Sequence, residues 1–398
     1  MSIFPKIEKI TRDAAICHFL LMFGYKVFAL YFPLFLVTKG MSLPEVGYTY
    51  LLIYLPIALS APFVGFLNHK INPAILASLG VLGYAIYASG MILIINPVLF
   101  YFWQVLLGIS AALFFVSARA ILISTSLENY NRAFGWFYSA PFYADAIAPA
   151  VGAAFIWQFD FLGVFIFSLV LQFLTAIFCF TQLRKREVKP LDKYFNFEKF
   201  QENYQRVFQT IKTKTILPFL LASLSILFLA GFYRAFFVLF LKDELLWSEN
   251  LILIFISIFS FLFLPISLFL IRHLGKIPSE KNIFQGSIIS GLFSILFGTA
   301  MPFLNFLNIL LINLGRLSGA LICNAGRSGL VSQRLKDQPE EAGAVDTIFA
   351  PLGVALGALI SGVVVGFLGY QFLFILGGIF VIIIGISMKK VAKFGKLR

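Results

Sequence analysis

The sequence predicts an all-α membrane protein of twelve transmembrane helices, arranged as two pseudo-symmetric six-helix bundles. Three observations predict it. Of the 398 residues, 60% are hydrophobic and only 12% are charged. The apolar residues gather into long uniform runs rather than short alternating segments. The second half of the chain also repeats landmarks of the first at a nearly constant offset.

The first observation selects the solvent. An ordinary soluble domain carries roughly 25% charged residues, and a chain this apolar has too little polar surface to cover itself in water. A bilayer accepts that surface, but it requires every backbone N–H and C=O to be paired internally. Long apolar runs therefore read as helices, since a β-barrel would show short alternating segments. The net charge of +13 does not point to nucleic acid, because its distribution has another explanation given below. Cys17, Cys179 and Cys323 stand far apart inside apolar runs and form no disulfide framework or zinc spacing. The basic N-terminal segment leads into an apolar run longer than a signal-peptide core, so it reads as retained.

Spanning takes about 20 apolar residues. The runs place spans near 14–38, 45–67, 73–95, 97–126, 133–157, 161–182, 215–241, 250–271, 282–303, 305–331, 342–366 and 370–388. Both termini, the loop after span six and the loops around His69, Arg132, Lys276 and Lys336 hold 24 of the 31 Lys and Arg residues. The opposite loops hold two, Lys39 and Lys242. By the positive-inside rule both termini face the cytoplasm, which needs an even number of spans. The expected location is the plasma (inner) membrane. Residues 1–183 then form an N-terminal bundle, 184–214 a cytoplasmic linker and 215–398 a C-terminal bundle. In the linker Phe197, Phe200, Tyr204, Val207, Phe208 and Ile211 recur at three- and four-residue steps, the spacing of an amphipathic helix expected at the inner membrane surface.

The halves echo each other. Gly24-Tyr25-Lys26 in span one corresponds to Gly231-Phe232-Tyr233-Arg234 in span seven. Pro97 and Ala118-Arg119-Ala120 in span four correspond to Pro302 and Gly326-Arg327-Ser328 in span ten. Ala140-Pro141 in span five corresponds to Ala350-Pro351 in span eleven. Three ordered matches suggest a duplicated six-helix unit. Small-residue pairs at Gly315/Gly319, Gly353/Gly357 and Gly362/Gly366 are expected to let helices approach closely.

With these features the chain resembles the major facilitator superfamily, along nearly its whole length in architecture and less closely in its motifs. The family's loop after span two usually reads Gly-x-x-x-Asp-Arg-x-Gly-Arg. Here it reads Gly65-Phe66-Leu67-Asn68-His69-Lys70, without the acid. Gln104 and Gly108 keep the span-four pattern Arg-x-x-x-Gly without its arginine. Ala144, Ala148, Pro149, Gly152 and Ala153 form a small-residue version of the antiporter pattern in span five. The resemblance implies that spans one, four, seven and ten line a central cavity.

Charges inside spans are costly and mark function. Lys26 lies about 20 Å from the inner end of span one, too deep to snorkel. Arg234 holds the matching repeat position. Facing one cavity, the two would attract an anion, and Lys26, Arg234 and the deeper Arg316 are the candidate substrate-binding residues. The phosphate-ester exchangers of the family hold their substrates with such a pair. Arg316 has a competing structural partner in Asn313. Arg119 and Arg327 lie near the cytoplasmic ends of their spans. The resemblance makes them gate residues, with Asn68 and Asp346 as partners. Asp145, the one carboxylate well inside a span, is the candidate proton-coupling site, and a salt bridge to a neighbouring cation is the competing role. None of His18, His69 and His273 clusters with other ligands, so no metal site is expected. No phosphate-cradling loop or nucleophile–base pair is present, so neither a catalytic site nor a cofactor is expected.

These readings converge on a secondary active transporter of a small molecule, an organic or phosphorylated anion, exchanging anions or coupled to protons. The expected surroundings are a lipid bilayer and the substrate, with no nucleic acid and a monomeric state. A proton-coupled exporter of amphipathic drugs is the alternative within transporters. A non-transporting lipid scramblase or assembly partner is the alternative outside them. The topology is open to direct test. A cysteine placed at Lys193 should resist external labelling in intact cells, whereas one at Lys242 should react; external labelling at Lys193 would reverse the orientation.

Overall fold

The architecture follows from the need to pair the backbone within each crossing. In the computed structural model, which describes residues 6–29, 31–32, 35–36, 39–40, 43–93, 97–184, 197–213 and 215–396, the chain is helical and the described residues contain no strand. The helices are α1 (Lys9–Ala29), α2 (Leu43–Leu67), α3 (Pro73–Ile92), α4 (Pro97–Ser124), α5 (Tyr130–Leu183), α6 (Phe197–Ile211), α7 (Leu217–Asp243), α8 (Glu249–Leu274), α9 (Ser279–Thr299), α10 (Phe306–Arg334) and α11 (Pro339–Lys396). A 3₁₀ turn, Met301–Phe303, precedes α10. Asparagine or serine side chains cap the starts of α3, α5, α8 and α10, supplying acceptors where the first-turn N–H groups have none. Part of the first span's outer end and residues 185–196 and 214 of the linker lie outside the described residues.

Two of these helices are hairpins. α5 runs 54 residues and turns at Asp160, with φ 53 and ψ −168. α11 turns at Gly369, with φ 80 and ψ 175. The two positions match by the repeat offset, and only the second carries the residue for which positive φ is free of steric strain. α1 shows that the arms run in opposite directions. His18, Lys26 and Tyr31 meet Phe137, Asp145 and Pro149 in ascending order, whereas Leu21 and Gly24 meet Gln172 and Ser168 in descending order. α7 sits likewise between the arms of α11: Leu227 and Gly231 face Gly353 and Gly357 in ascending order on one, while Phe228, Tyr233 and Phe240 stack on Phe380, Phe374 and Tyr370 in descending order on the other. Counting each arm as one crossing gives the twelve expected from the sequence.

The proline break at Pro141 in α5 is satisfied from a neighbour. Pro141 has no N–H, so the carbonyl of Phe137 one turn earlier loses its helical partner. His18 Nδ1 lies 2.8 Å from that carbonyl and must carry the proton it donates. His18 is buried against Phe114, Phe115 and Phe137, which leaves it a structural plug. Cys17, Cys179 and Cys323 are free and buried.

α6 forms where the amphipathic spacing predicts a helix. Phe200 stacks on Phe63 and meets Phe66 edge-on, and Tyr204 donates to the Pro62 carbonyl at 2.8 Å. Burial pushes the Tyr204 phenol well above its ordinary range, which keeps it a donor. α6 thus docks on the end of α2 through one face while Phe208 stays exposed.

Glycine permits the closest approaches. A Cβ on Gly152 would lie 1.8 Å from the Val27 carbonyl oxygen, and one on Gly357 would lie 2.0 Å from that of Phe228. Gly315, Gly319 and Gly353 also sit against neighbouring helices. Gly362 and Gly366 do not. The first meets only the Phe236 ring tip at 3.8 Å and the second meets nothing within 4 Å, so the expected close packing there is corrected. Replacing Gly152 or Gly357 by Val should therefore destabilise by roughly 1–3 kcal/mol through overpacking. Gly366→Ala should be neutral or stabilising. Melting temperatures of the purified variants test the contrast, and equal values for Gly152→Val and wild type would contradict it.

Candidate functional site

Two clusters of charge lie between the halves of the chain, one midway along the helices and one at the end that bears the basic loops. The central cluster is built on α1 and the first arm of α5, which run parallel. Pro141 and Asp145 are one turn apart and so share a face. The Lys26 ammonium reaches both, donating to the Pro141 carbonyl at 3.0 Å and pairing with Asp145 Oδ2 at 2.5 Å. Neither partner is fully covered, with 20% of the Lys26 side chain and 30% of the Asp145 side chain exposed.

Arg234 approaches from α7 in the other half. Its guanidinium donates to the Tyr54 hydroxyl on α2 and lies over that ring, 5.7 Å from the centroid. Among the described residues it forms no salt bridge, and its side chain is exposed although it lies well within a membrane-spanning helix. Lys26 and Arg234 are close enough to repel each other, and Asp145 attracts both. The structure thus brings three candidate residues together. Arg316 is engaged elsewhere: it stacks on Tyr233 at 3.7 Å and donates to Asn313 Oδ1 at 3.3 Å. Tyr233 and Arg234 are adjacent on a helix and point about 100° apart, so Arg316 lies beside the face of α7 that turns from Arg234.

The second cluster centres on Asp346, at the start of α11 and fully buried. Arg327 Nε donates to Oδ1 at 2.8 Å, and Arg119 Nε lies 3.1 Å from Oδ2. Tyr138 and Ser328 donate to Oδ2 at 2.9 and 2.6 Å. Arg119 also bonds Thr347, and Arg327 also bonds Tyr138 and Asn324. Four helices, α4, α5, α10 and α11, therefore meet on one carboxylate. Asn68 lies nearby and accepts from Ser117 at 2.9 Å, two residues before Arg119.

Two further latches flank Asp346. Asn131, at the start of α5, donates to the Ile277 carbonyl at 3.1 Å and accepts from Ser279 at 2.8 Å. Glu341, at the repeat-equivalent start of α11, meets His69 at 2.6 Å and Asn203 of α6 at 2.8 Å. His69 stands where the resemblance expects an aspartate in the loop after span two. The histidine's company with Glu340 and Glu341 corrects the expectation that no histidine gathers further ligating groups. The sequence hid it behind a separation of 272 residues. The repeat offset relating Asn131 to Glu341 was the available signal.

Comparisons with known proteins bear on the family and the fold. Residues 14–345 match the Major Facilitator Superfamily. The structure of the human organic anion transporter TETRAN is similar, with a TM-score of 0.77 over 96% of this chain and 99% of that one, at 15% identity. That of a bacterial homologue of the iron transporter ferroportin, in an outward-facing state, is similar with a TM-score of 0.69 over 98% and 100% at 14% identity. No curated protein matches by sequence. Identities this low carry the fold alone. The family match spans most of the chain, and with its multi-pass apolar helices this is an integral membrane transport protein that belongs to the Major Facilitator Superfamily.

Proposed function

We propose that the chain is a secondary active transporter working by alternating access, with a small organic or phosphorylated anion as substrate. One observation carries the reading. Lys26 and Arg234, repeat-equivalent cations from opposite halves, share one space with a single carboxylate between them. That leaves one positive charge in excess where solvation is poor, and a bound anion would offset it. Arg234 supplies a planar fork suited to a carboxylate or phosphate, held ready by Tyr54. The name of the similar human structure, an organic anion transporter, supports the same substrate class.

Asp145 gives the reading its coupling. An anion that takes Lys26 displaces Asp145 from its counter-charge, and a proton would then replace the charge the carboxylate has lost. Anion and proton would then enter and leave together. The Arg119–Asp346–Arg327 cluster, with its flanking latches, serves as the cytoplasmic gate. On this reading its contacts close the basic end, and substrate would reach Arg234 from the opposite side.

A thermal-shift screen of purified protein against anions, cations and hydrophobic drugs identifies the ligand, because ligands stabilise the state they bind. Lys26→Gln or Arg234→Gln should then weaken anion binding at least about tenfold, equivalent to about 1.4 kcal/mol. Arg234→Lys should restore only part of the loss, since the fork is gone. Wild-type affinity in the Lys26→Gln/Arg234→Gln double variant would overturn the anion reading.

Asp145→Asn separates the two roles of that residue. It should abolish proton-driven accumulation in reconstituted vesicles while leaving substrate exchange. Undiminished proton-driven uptake would remove Asp145 from the coupling, and a fall in melting temperature with both activities lost would make it a structural partner of Lys26.

A further inference from the structure

The basic end of the molecule holds a donor set of which the gate reading uses only the His69–Glu341 contact. His69, in the turn between α2 and α3, meets Glu340 and Glu341 in the first turn of α11. One ligating atom from each lies within 4.8 Å of the other two. Glu340 is 3% exposed and Glu341 is 0% exposed. Glu341 Oε1 accepts from Asn203 Nδ2 at 2.8 Å and faces His69 Nε2 at 2.6 Å. The Oε2 atoms of both glutamates are buried with no hydrogen-bond partner.

Burial makes that arrangement expensive. Two adjacent carboxylates repel each other, and each loses hydration that only a counter-charge or hydrogen bonds can replace. One histidine can carry at most one positive charge. The Tyr204 hydroxyl that packs nearby is committed to the Pro62 carbonyl. A divalent cation would neutralise the pair and fill the idle Oε2 positions. Imidazole nitrogen with carboxylate oxygens suits zinc, manganese or ferrous iron. Ligand atoms of a tetrahedral site with bonds of about 2.0–2.2 Å stand roughly 3.4 Å apart. Small shifts of side chains already in place reach that geometry, with the His69–Glu341 contact opening to admit the ion. Asn203 then orients Glu341 from behind, as outer partners of metal ligands do.

We propose that His69, Glu340 and Glu341 form a binding site for a divalent transition-metal ion that bridges the two halves of the transporter. The ligands come from the α2–α3 turn and from α11, so an occupied site staples these elements and holds the basic end closed. The site needs no assumption about the transported substrate.

The test uses the full-length protein, its purification tag removed and its metals stripped with chelator. Titration with Co²⁺ should show saturable binding of about one equivalent, with visible bands of nitrogen–oxygen coordination. His69→Ala and Glu340→Gln should each weaken binding at least about tenfold. Zn²⁺ should raise the melting temperature of wild type and leave that of Glu340→Gln unmoved, while in chelator Glu340→Gln should melt no lower than wild type. Hydrogen exchange at residues 66–72 and 339–345 should slow on adding Zn²⁺. Wild-type affinity in both variants, or no saturable Co²⁺ binding to wild type, overturns the site. The wild-type titration and exchange map decide the matter even where a variant fails to fold.

Discussion

Asp346 is one carboxylate shared by two guanidiniums, and the contact between the two halves at the basic end depends on that sharing. Arg119 and Arg327 are repeat equivalents, brought from opposite halves to a single buried acid with Tyr138 and Ser328 as further donors. Buried ions need excellent geometry and full hydrogen bonding to offset lost hydration. Asp346 accepts hydrogen bonds from three donors, Arg327, Tyr138 and Ser328, and pairs with the Arg119 guanidinium by charge. Removing the acid would leave two uncompensated cations facing each other, a change costing roughly 3–5 kcal/mol. Of the two ion pairs, only Arg119–Asp346 crosses between the halves, so separating them would break that one and keep Arg327–Asp346.

The central cluster resembles this pattern with the halves exchanged. Lys26 and Arg234 are again repeat equivalents near one carboxylate, but here the acid sits on α5 rather than on α11 and pairs with Lys26 alone, attracting Arg234 from a distance. Each pair of duplicated cations therefore retains a net positive charge. At the basic end the excess is absorbed by hydroxyl and amide groups around the arginines. At the centre it is carried by Arg234, which is exposed and touches only the Tyr54 hydroxyl and ring among its described polar and aromatic contacts. A charge that is buried and satisfied holds structure together, whereas one that is exposed inside a membrane protein is available to a ligand. That distinction separates the two clusters more clearly than their residue types do.

Much of this was legible in the sequence because bilayer physics leaves strong marks. Apolar run length gave the crossings, and the recurrence of Gly24-Tyr25-Lys26 as Gly231-Phe232-Tyr233-Arg234 exposed the duplication. Asp145 was readable as proton site or as salt-bridge partner, and only its position against Lys26 could show the contact. What stayed hidden depends on distant approach or on local backbone geometry. Nothing in the composition around Asp160 reveals a positive φ, although the equivalent Gly369 could have hinted at it. His18 looked like a polar residue at a helix entrance, and its partner, the Phe137 carbonyl, becomes free only because Pro141 breaks the helix. Gly362 and Gly366 have helix-packing spacing but meet no neighbouring backbone, since spacing fixes which face a residue occupies and not what that face meets.

The duplication also explains why the two latches beside Asp346 differ in character. Asn131 and Glu341 hold equivalent positions at the starts of α5 and α11, and each docks on a turn of the other half. Asn131 engages Ile277 and Ser279 through neutral hydrogen bonds that are indifferent to pH and ions. Glu341 engages His69 beside a second buried carboxylate, so its strength depends on what compensates the charge. One latch is permanent and the other conditional. Had both been neutral, the basic end would respond only to events at the central site, by coupling through the helices. With one conditional latch, the equilibrium between closed and open forms also depends on an occupant of that latch, because anything that binds one state better shifts the population toward it. Duplication supplied two equivalent positions, and the departure from symmetry at His69 and Glu341 gives this transporter a second input.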